Sequence, residues 1–265
     1  MANSAFALTF PAACPVCGQE YAPAGWLGLC EACWQQIQAW SGPVCAGCGL
    51  PLASEQESET LCGVCRRGDY AFDFARSYAV YSEPLRSAIL LLKFQRRERL
   101  GLSLGKLLAR LWWSRKEFSG AGNAVLIPVP LHRARQRERG FNQAETLARG
   151  LVRALRSCSN DQSPEVDRRC LRRIKPTVPQ AGLSFRARLE NVRGVFAVAL
   201  PERVKGRVAI LLDDVMTTGA TLSACASALK CAGAPRVLAI TLARATPQFP
   251  DVAPPPVADT VDDFG

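Results

Sequence analysis

The chain has 265 residues, 48% of them hydrophobic, enough to bury a sizeable core in one domain or two. No apolar run approaches the ~18 residues of a membrane span, so no membrane insertion is expected. The formal net charge of +10 favours anionic partners, phosphorylated metabolites or nucleic acid, although a solvated basic face would give the same total. The opening MANSAFALTFPAAC lacks a basic start and a long apolar core, so it reads as a poor export signal, and a cytoplasmic protein with reduced cysteines is the expectation.

Eight of the twelve cysteines form four C-x-x-C pairs, Cys14/Cys17, Cys30/Cys33, Cys45/Cys48 and Cys62/Cys65, separated by 12, 11 and 13 residues. A C-x-x-C turn aims two thiolates at one ion, and two such turns complete a tetrahedral zinc shell. Cys14 to Cys45 and Cys17 to Cys48 are each 31 positions apart, and Cys30 to Cys62 and Cys33 to Cys65 are each 32, which marks an internal repeat. Two tandem ribbons, each with a structural Zn²⁺, are the simplest reading. Cys14, Cys17, Cys30 and Cys33 then share one ion, and Cys45, Cys48, Cys62 and Cys65 the other. A cross-braced pairing and redox dithiols are the competing readings. Cys158, Cys170, Cys225 and Cys231 lack such spacing and read as ordinary side chains. The ribbon domain is assigned to residues 1–68.

After Cys65 the pattern changes to alternating strands and helices. SYAVYSE (77–83) reads as a strand, and Pro84 opens a helix through PLRSAILLLKFQRR. A second helix is predicted over Leu102 to Trp113, with Leu104, Leu107, Leu108 and Leu111 on one face. Residues 86–116 hold nine Lys/Arg against Glu98 alone, and residues 131–175 hold twelve against five acids. AVLIPVPLH (124–132) is a short buried strand running into a Pro-bounded loop. GFNQAETLARGLVRAL (140–155) is a helix whose Ala144, Leu147, Leu151 and Leu155 face a core. A strand at Asp167–Ile174, a long loop over 175–194, the strand RVAILLDDV, a helix from Ala220 to Cys231 and the strand RVLAITLAR (236–244) complete the pattern. Such alternation predicts a mostly parallel α/β sheet with helices on both faces over residues 69–245. The tail, 246–265, with its late prolines and aspartates, reads as disordered.

GLSLG (101–105) matches the G-x-S-x-G nucleophile spacing, but that motif requires a strand-to-helix turn, and here it joins two helical stretches. Neither a G-x-G-x-x-G fingerprint nor a Walker A loop is present.

The segment LLDDVMTTGATL (211–222) ends a strand in two acids and opens a helix with a turn of hydroxyls and small side chains. Backbone N–H groups around Thr217, Thr218, Gly219, Ala220 and Thr221 converge there on an anion, aided by the helix dipole. Asp213 and Asp214 repel a phosphate and suit hydroxyl donors, or a cation bridging them to the ligand. A sugar 5-phosphate satisfies both halves.

This pattern of two acids followed by V-M-T-T-G-A-T resembles the phosphoribosyl pyrophosphate motif of type I phosphoribosyltransferases. The segments PVPLHRARQRERGFNQAETLA (128–148) and PTVPQAGLSFRARLENVRGVF (176–196), behind the cysteine pairs, resemble the ComF-like competence family over Cys14 to Arg244. The resemblance implies a double zinc ribbon in front of a type I phosphoribosyltransferase-like domain, and a link to DNA uptake in natural transformation. It implies phosphoribosyl pyrophosphate with Mg²⁺ as ligand, Asp213 and Asp214 as ribose-binding and catalytic acids, and Thr217 to Thr221 as the phosphate loop. It places a pyrophosphate loop after PVPLH, where Arg133, Arg135, Arg137 and Arg139 alternate; Arg133, Arg137 and Arg139 are assigned to the diphosphate. It makes the 175–191 loop, with Gln180, Arg186 and Arg188, a hood over the ligand. Pentosyl transfer in nucleoside metabolism is the activity implied. Two readings without catalysis stand beside it: a protein that binds single-stranded DNA through its basic surface, and an adaptor whose ribbons dock a competence helicase.

Overall fold

The computed structural model describes residues 12–21, 29–52, 60–94, 98–158, 163–175, 187 and 190–246. Its front portion repeats one small unit. Strands β1 (Ala12–Ala13) and β2 (Glu20–Tyr21) pair antiparallel across the first C-x-x-C turn. Helix α1 (Glu31–Gln35) carries Cys33 and is capped at its N-terminus by Cys30. In the second unit α2 (Gly63–Arg66) carries Cys65, with Cys62 in the same capping position.

The remainder is built on five parallel strands in the order β3 (Phe74–Val80), β9 (Arg236–Arg244), β8 (Val208–Met216), β4 (Ala124–Pro128), β5 (Glu165–Val166). Parallel strands buried on both faces need near-continuous apolar sequence, and AVLIP, VAILL and VLAITLA supply it. Leu126, Ile210, Leu212, Leu238 and Ile240 face α3 (Leu85–Phe94), α4 (Glu98–Trp113) and α7 (Gln143–Cys158). Val125, Ile127, Ala209, Leu211, Val237 and Ala239 face the opposite way, toward α8 (Ala220–Cys231) and Cys45 and Cys48 of the second ribbon. The two-faced α/β sheet behind a Cys-rich region is the expected fold.

The outer edge of β3 is sealed by the ribbons. Ala75 N–H donates to Gly47 O at 2.9 Å, and Trp40 N–H donates to Tyr78 O at 2.8 Å. Arg76 reaches across the same edge to Ala46 O at 2.9 Å and stacks over the Phe74 ring at 4.0 Å. An unpaired edge strand would otherwise be open to association.

Three local readings change. GLSLG lies inside α4, where its glycines permit a close helix crossing: a Cβ on Gly105 would meet Gly150 Cα at 2.6 Å. The strand expected at Asp167–Ile174 is shortened to Leu171–Arg173. Asp167 Oδ1 accepts from Arg169 N–H and Cys170 N–H at 2.7 and 2.9 Å, and the turn sends β6 (Leu171–Arg173) into an antiparallel pair with β7 (Phe196–Val198). The four alternating arginines lie on a helix, α6 (Arg133–Arg139), rather than in a loop. His132 caps its start through Nδ1, and Gly140, at φ 79°, closes its end in the left-handed conformation. A short 3₁₀ turn (Pro201–Arg203) and α5 (Lys116–Ser119) complete the described elements. The hood residues Gln180, Arg186 and Arg188, Arg96 and Arg97, and the 247–265 tail lie outside the described residues.

The α4–α7 crossing gives a direct test of packing. A Cβ at Gly150 would stand 2.5 Å from Leu102 O, which is backbone and cannot rotate away. Gly150→Ala is expected to cost about 1–3 kcal/mol in urea denaturation. Gly122→Ala, which meets nothing within 4 Å, is expected to stay within about 0.5 kcal/mol of the parent.

Candidate functional site

The thiols of Cys14, Cys17, Cys30 and Cys33 gather in one cluster and those of Cys45, Cys48, Cys62 and Cys65 in another, all sulfurs of a cluster lying within 4.8 Å of one another. The pairing in space is therefore sequential, not cross-braced. Cys17 Sγ to Cys30 Sγ and Cys48 Sγ to Cys62 Sγ are both 3.6 Å, close to the ~3.8 Å that two sulfurs keep on a tetrahedral ion with ~2.3 Å bonds. Backbone N–H groups of Cys30 and Cys62 point at Cys14 and Cys45 sulfurs at 3.5 and 3.3 Å, the support that an electron-rich thiolate needs. Two four-cysteine zinc sites fit these residues.

At the carboxyl end of the sheet a second arrangement forms. Strand β8 carries Asp213 and Asp214 near its end, and the chain turns through Thr217 to Gly219 into α8. Gly219 has φ 78°, and a Cβ there would lie 2.7 Å from Met216 Cε and 3.0 Å from Tyr70. Both the handedness and the space therefore require glycine. The turn is held from behind. Tyr70 Oη donates to Thr218 O at 2.7 Å, and the Arg244 guanidinium donates to Met216 O at 3.2 Å and to Thr217 O. These bonds fix the turn, which borders the cleft through Thr217 and Thr221.

The cleft in front, of about 350 Å³, is lined by Asp213, Asp214, Thr217 and Thr221 on one side and by Arg135, Arg139 and Gln143 on the other, with Lys93 and Arg173 between. Asp214 is 4% exposed and has both oxygens engaged: Oδ1 accepts from Val215 N–H at 2.8 Å, and Oδ2 pairs with Lys93 Nζ at 2.8 Å. Burial alone would lower the Lys93 ammonium, but Asp214, its hydrogen bond and Asp213 outweigh burial and raise it. Asp213 keeps an edge at the cleft surface and pairs with no cation within 4 Å among the described residues. Burial, and after it the charge of Asp214, push Asp213 up to about 8. Burial and then Arg135 lower Arg173.

Of the expected ligand-binding residues, Asp213, Asp214, Thr217, Thr221 and Arg139 line one cleft, while Thr218, Gly219 and Ala220 build the turn behind it. Arg133 and Arg137 do not line it; on α6 it is the i, i+4 pair Arg135 and Arg139 that faces inward. Asn142 is a cap, its Nδ2 donating to Val129 O at 3.0 Å and its Oδ1 accepting from Ala144 N–H at 3.0 Å. Gln143 accepts from Arg139 at 3.2 Å and holds it over the cleft. Lys93, Arg173, Tyr70 and Arg244 escape a reading by motif. Lys93 left one signal, a lone lysine in the apolar run AILLLKF.

Two outcomes follow from these geometries. The native chain should carry two zinc ions by elemental analysis, and Cys14→Ser and Cys45→Ser should each lose one. Cys45→Ser should lower Tm further, because its knuckle is hydrogen-bonded to β3. The second concerns Asp213. Folded, it holds its proton to about pH 8, against 3.8 for an ordinary aspartate. Its contribution to stability is full at low pH and is lost as pH rises toward 8. Asp213→Asn should therefore raise Tm more at about pH 8 than at about pH 6, and an equal rise at both would contradict this.

Residues 5–67 match the family described as the double zinc ribbon domain. The DNA utilization protein YhgH of Escherichia coli (strain K12) is 32% identical over 238 residues, covering 89% of this chain and 99% of that protein. Competence protein F of Haemophilus influenzae is 32% identical over 220 residues, covering 82% of this chain and 91% of that one. A solved structure titled as the allosteric regulatory enzyme of purine biosynthesis is 20% identical, with a TM-score of 0.32 over 53% of this chain and 25% of that chain. With 32% identity to these curated relatives over 82–89% of its length and the ribbon match in front, the chain belongs to the ComF-like competence family.

Proposed function

We propose that the cleft binds phosphoribosyl pyrophosphate and that the domain behind the ribbons is a type I phosphoribosyltransferase-like unit serving DNA uptake or use. The observation that carries this reading is the opposition of unlike groups across one cleft. Two carboxylates and a glycine-turned phosphate loop stand on one wall, and Arg135 and Arg139 on the other. A ligand with a phosphate, two neighbouring hydroxyls and a diphosphate matches that sequence of groups. The 5-phosphate sits on the N–H groups at the start of α8, where the helix dipole favours an anion. The ribose hydroxyls donate to Asp213 and Asp214, and the arginine forks take the diphosphate oxygens.

Lys93 neutralises Asp214, so the acid wall does not repel an incoming anion as two free carboxylates would. Among the described residues no cluster of three or more acids stands at the cleft. Mg²⁺ is therefore expected to arrive on the diphosphate, where it supplies charge neutralisation for the leaving group. Arg135 and Arg139 add to that stabilisation as pyrophosphate departs from C1 of the ribose and an acceptor takes its place.

Calorimetry of the zinc-loaded chain with phosphoribosyl pyrophosphate and Mg²⁺ tests the reading. Saturable binding is expected, with at least a tenfold loss in Arg135→Gln/Arg139→Gln, about the effect of removing one charge-assisted contact. No heat with the folded, zinc-loaded chain would overturn it. Binding that survives in the double variant would move the diphosphate elsewhere.

A further inference from the structure

A second cavity, of about 320 Å³, lies between the linker joining the two ribbons, the outer edge of β3 and the last turn of α4. It shares no lining residue with the cleft. Its size falls at the lower end for small-ligand sites. Arg76, Arg110, Arg115 and Arg244 line it, and among the described residues no carboxylate does. Arg76 and Arg244 are only 8% and 4% exposed. None of the four forms an ion pair among the described residues.

The bonds these arginines do make fix them without neutralising them. Arg76 donates to Ala75 O and Ala46 O at 2.7 and 2.9 Å, and Arg244 donates to Met216 O at 3.2 Å. The Nε atoms of Arg76, Arg115 and Arg244 are buried with no hydrogen-bond partner among the described residues. Glu117 and the Cys45 and Cys48 sulfurs act on Arg76 electrostatically, and Cys48 on Arg244, but all three lie outside the cavity lining and none forms an ion pair with the four. Burial, and next the charge of Arg115, bring Arg76 down to about 10, so it is still a cation at neutral pH.

Buried charge with unmet donors is costly. Two buried arginines, Arg76 and Arg244, with half-buried Arg115 and exposed Arg110 lining the same small cavity, leave a deficit that a single carboxylate cannot fill. Closely spaced tetrahedral anions can fill it, because each presents oxygens to several planar forks at once. We propose that this cavity is an oligophosphate site, taking a di- or triphosphate group either free or as the end of a nucleotide. Trp40 stands in the lining beside it, available to a base. Arg244 links this site to the cleft, because the same guanidinium holds the carbonyls of Met216 and Thr217 at the start of the phosphate loop. The inference does not rest on what the cleft binds.

The test is calorimetry of the zinc-loaded full chain with inorganic triphosphate and, separately, with adenosine triphosphate, both without Mg²⁺. The Arg135→Gln/Arg139→Gln variant disables the cleft and should still bind triphosphate with a stoichiometry of about one. Adding Arg110→Gln and Arg115→Gln should weaken that binding at least tenfold, as loss of charge-assisted contacts requires, while circular dichroism and zinc content stay unchanged. If that combined variant does not fold, Arg110→Gln alone, at an exposed position, should still weaken binding several-fold. Equal affinity for the two probes would show that the phosphates suffice, and tighter adenosine triphosphate binding that the base is read as well. Triphosphate binding untouched by the Arg110 and Arg115 changes, or none in the cleft-disabled variant, would overturn the proposal.

Discussion

A parallel sheet buried on both faces leaves little surface for chemistry except at its ends and edges, and that constraint orders the rest of this molecule. Ile210, Leu212 and their neighbours are committed to one helical layer, and Ala209 and Leu211 to the other. The strand can stop being apolar only where it emerges, and there it presents Asp213 and Asp214. The turn that follows must enter α8 in a single tight step, so Gly219 and the N–H groups behind it fall next to the acids. The juxtaposition of two carboxylates and a glycine-turned helix start is thus a product of topology as much as of residue choice.

Charge distribution follows from the same constraint. The acid wall would be self-repelling if both carboxylates were ionised and alone. Lys93, delivered by the end of α3, binds Asp214, and burial beside Asp214 lets Asp213 keep its proton to about pH 8. The basic residues on the other wall are spaced by the helix, so only alternate members of the arginine series reach inward. The excess positive charge of the chain is in this way distributed between a cleft, a second cavity and solvent.

Much of this was legible in sequence because it repeats or because it is periodic. The cysteine spacing announces four knuckles in a repeat, with the sequential pairing chosen over the cross-braced one only by the fold, and the start of α8 and the bounds of β9 coincide with the ends of clean patterns. The failures have a common cause. RARQRER carries no apolar face, so its helix is set by the His132 and Gly140 caps rather than by periodicity. Asp167 delays the start of β6 by accepting from the N–H groups of Arg169 and Cys170, which no alternation pattern encodes. Tyr70, Lys93 and Arg244 reach the site from distant positions, and only the folded chain brings them together.

The hydrogen bonds between the second knuckle and β3 bear on how the chain is divided. A boundary near residue 68 separates two compositions, but it does not separate two independent bodies. Cutting there would strip the partners from Ala75 and Arg76 and lay bare a strand edge. The ribbons therefore behave less as an appended module than as the missing sixth member of the sheet, supplied by metal-bound turns instead of by a strand. Insertions and fusions should be borne more easily ahead of Cys14 than between the ribbons and β3.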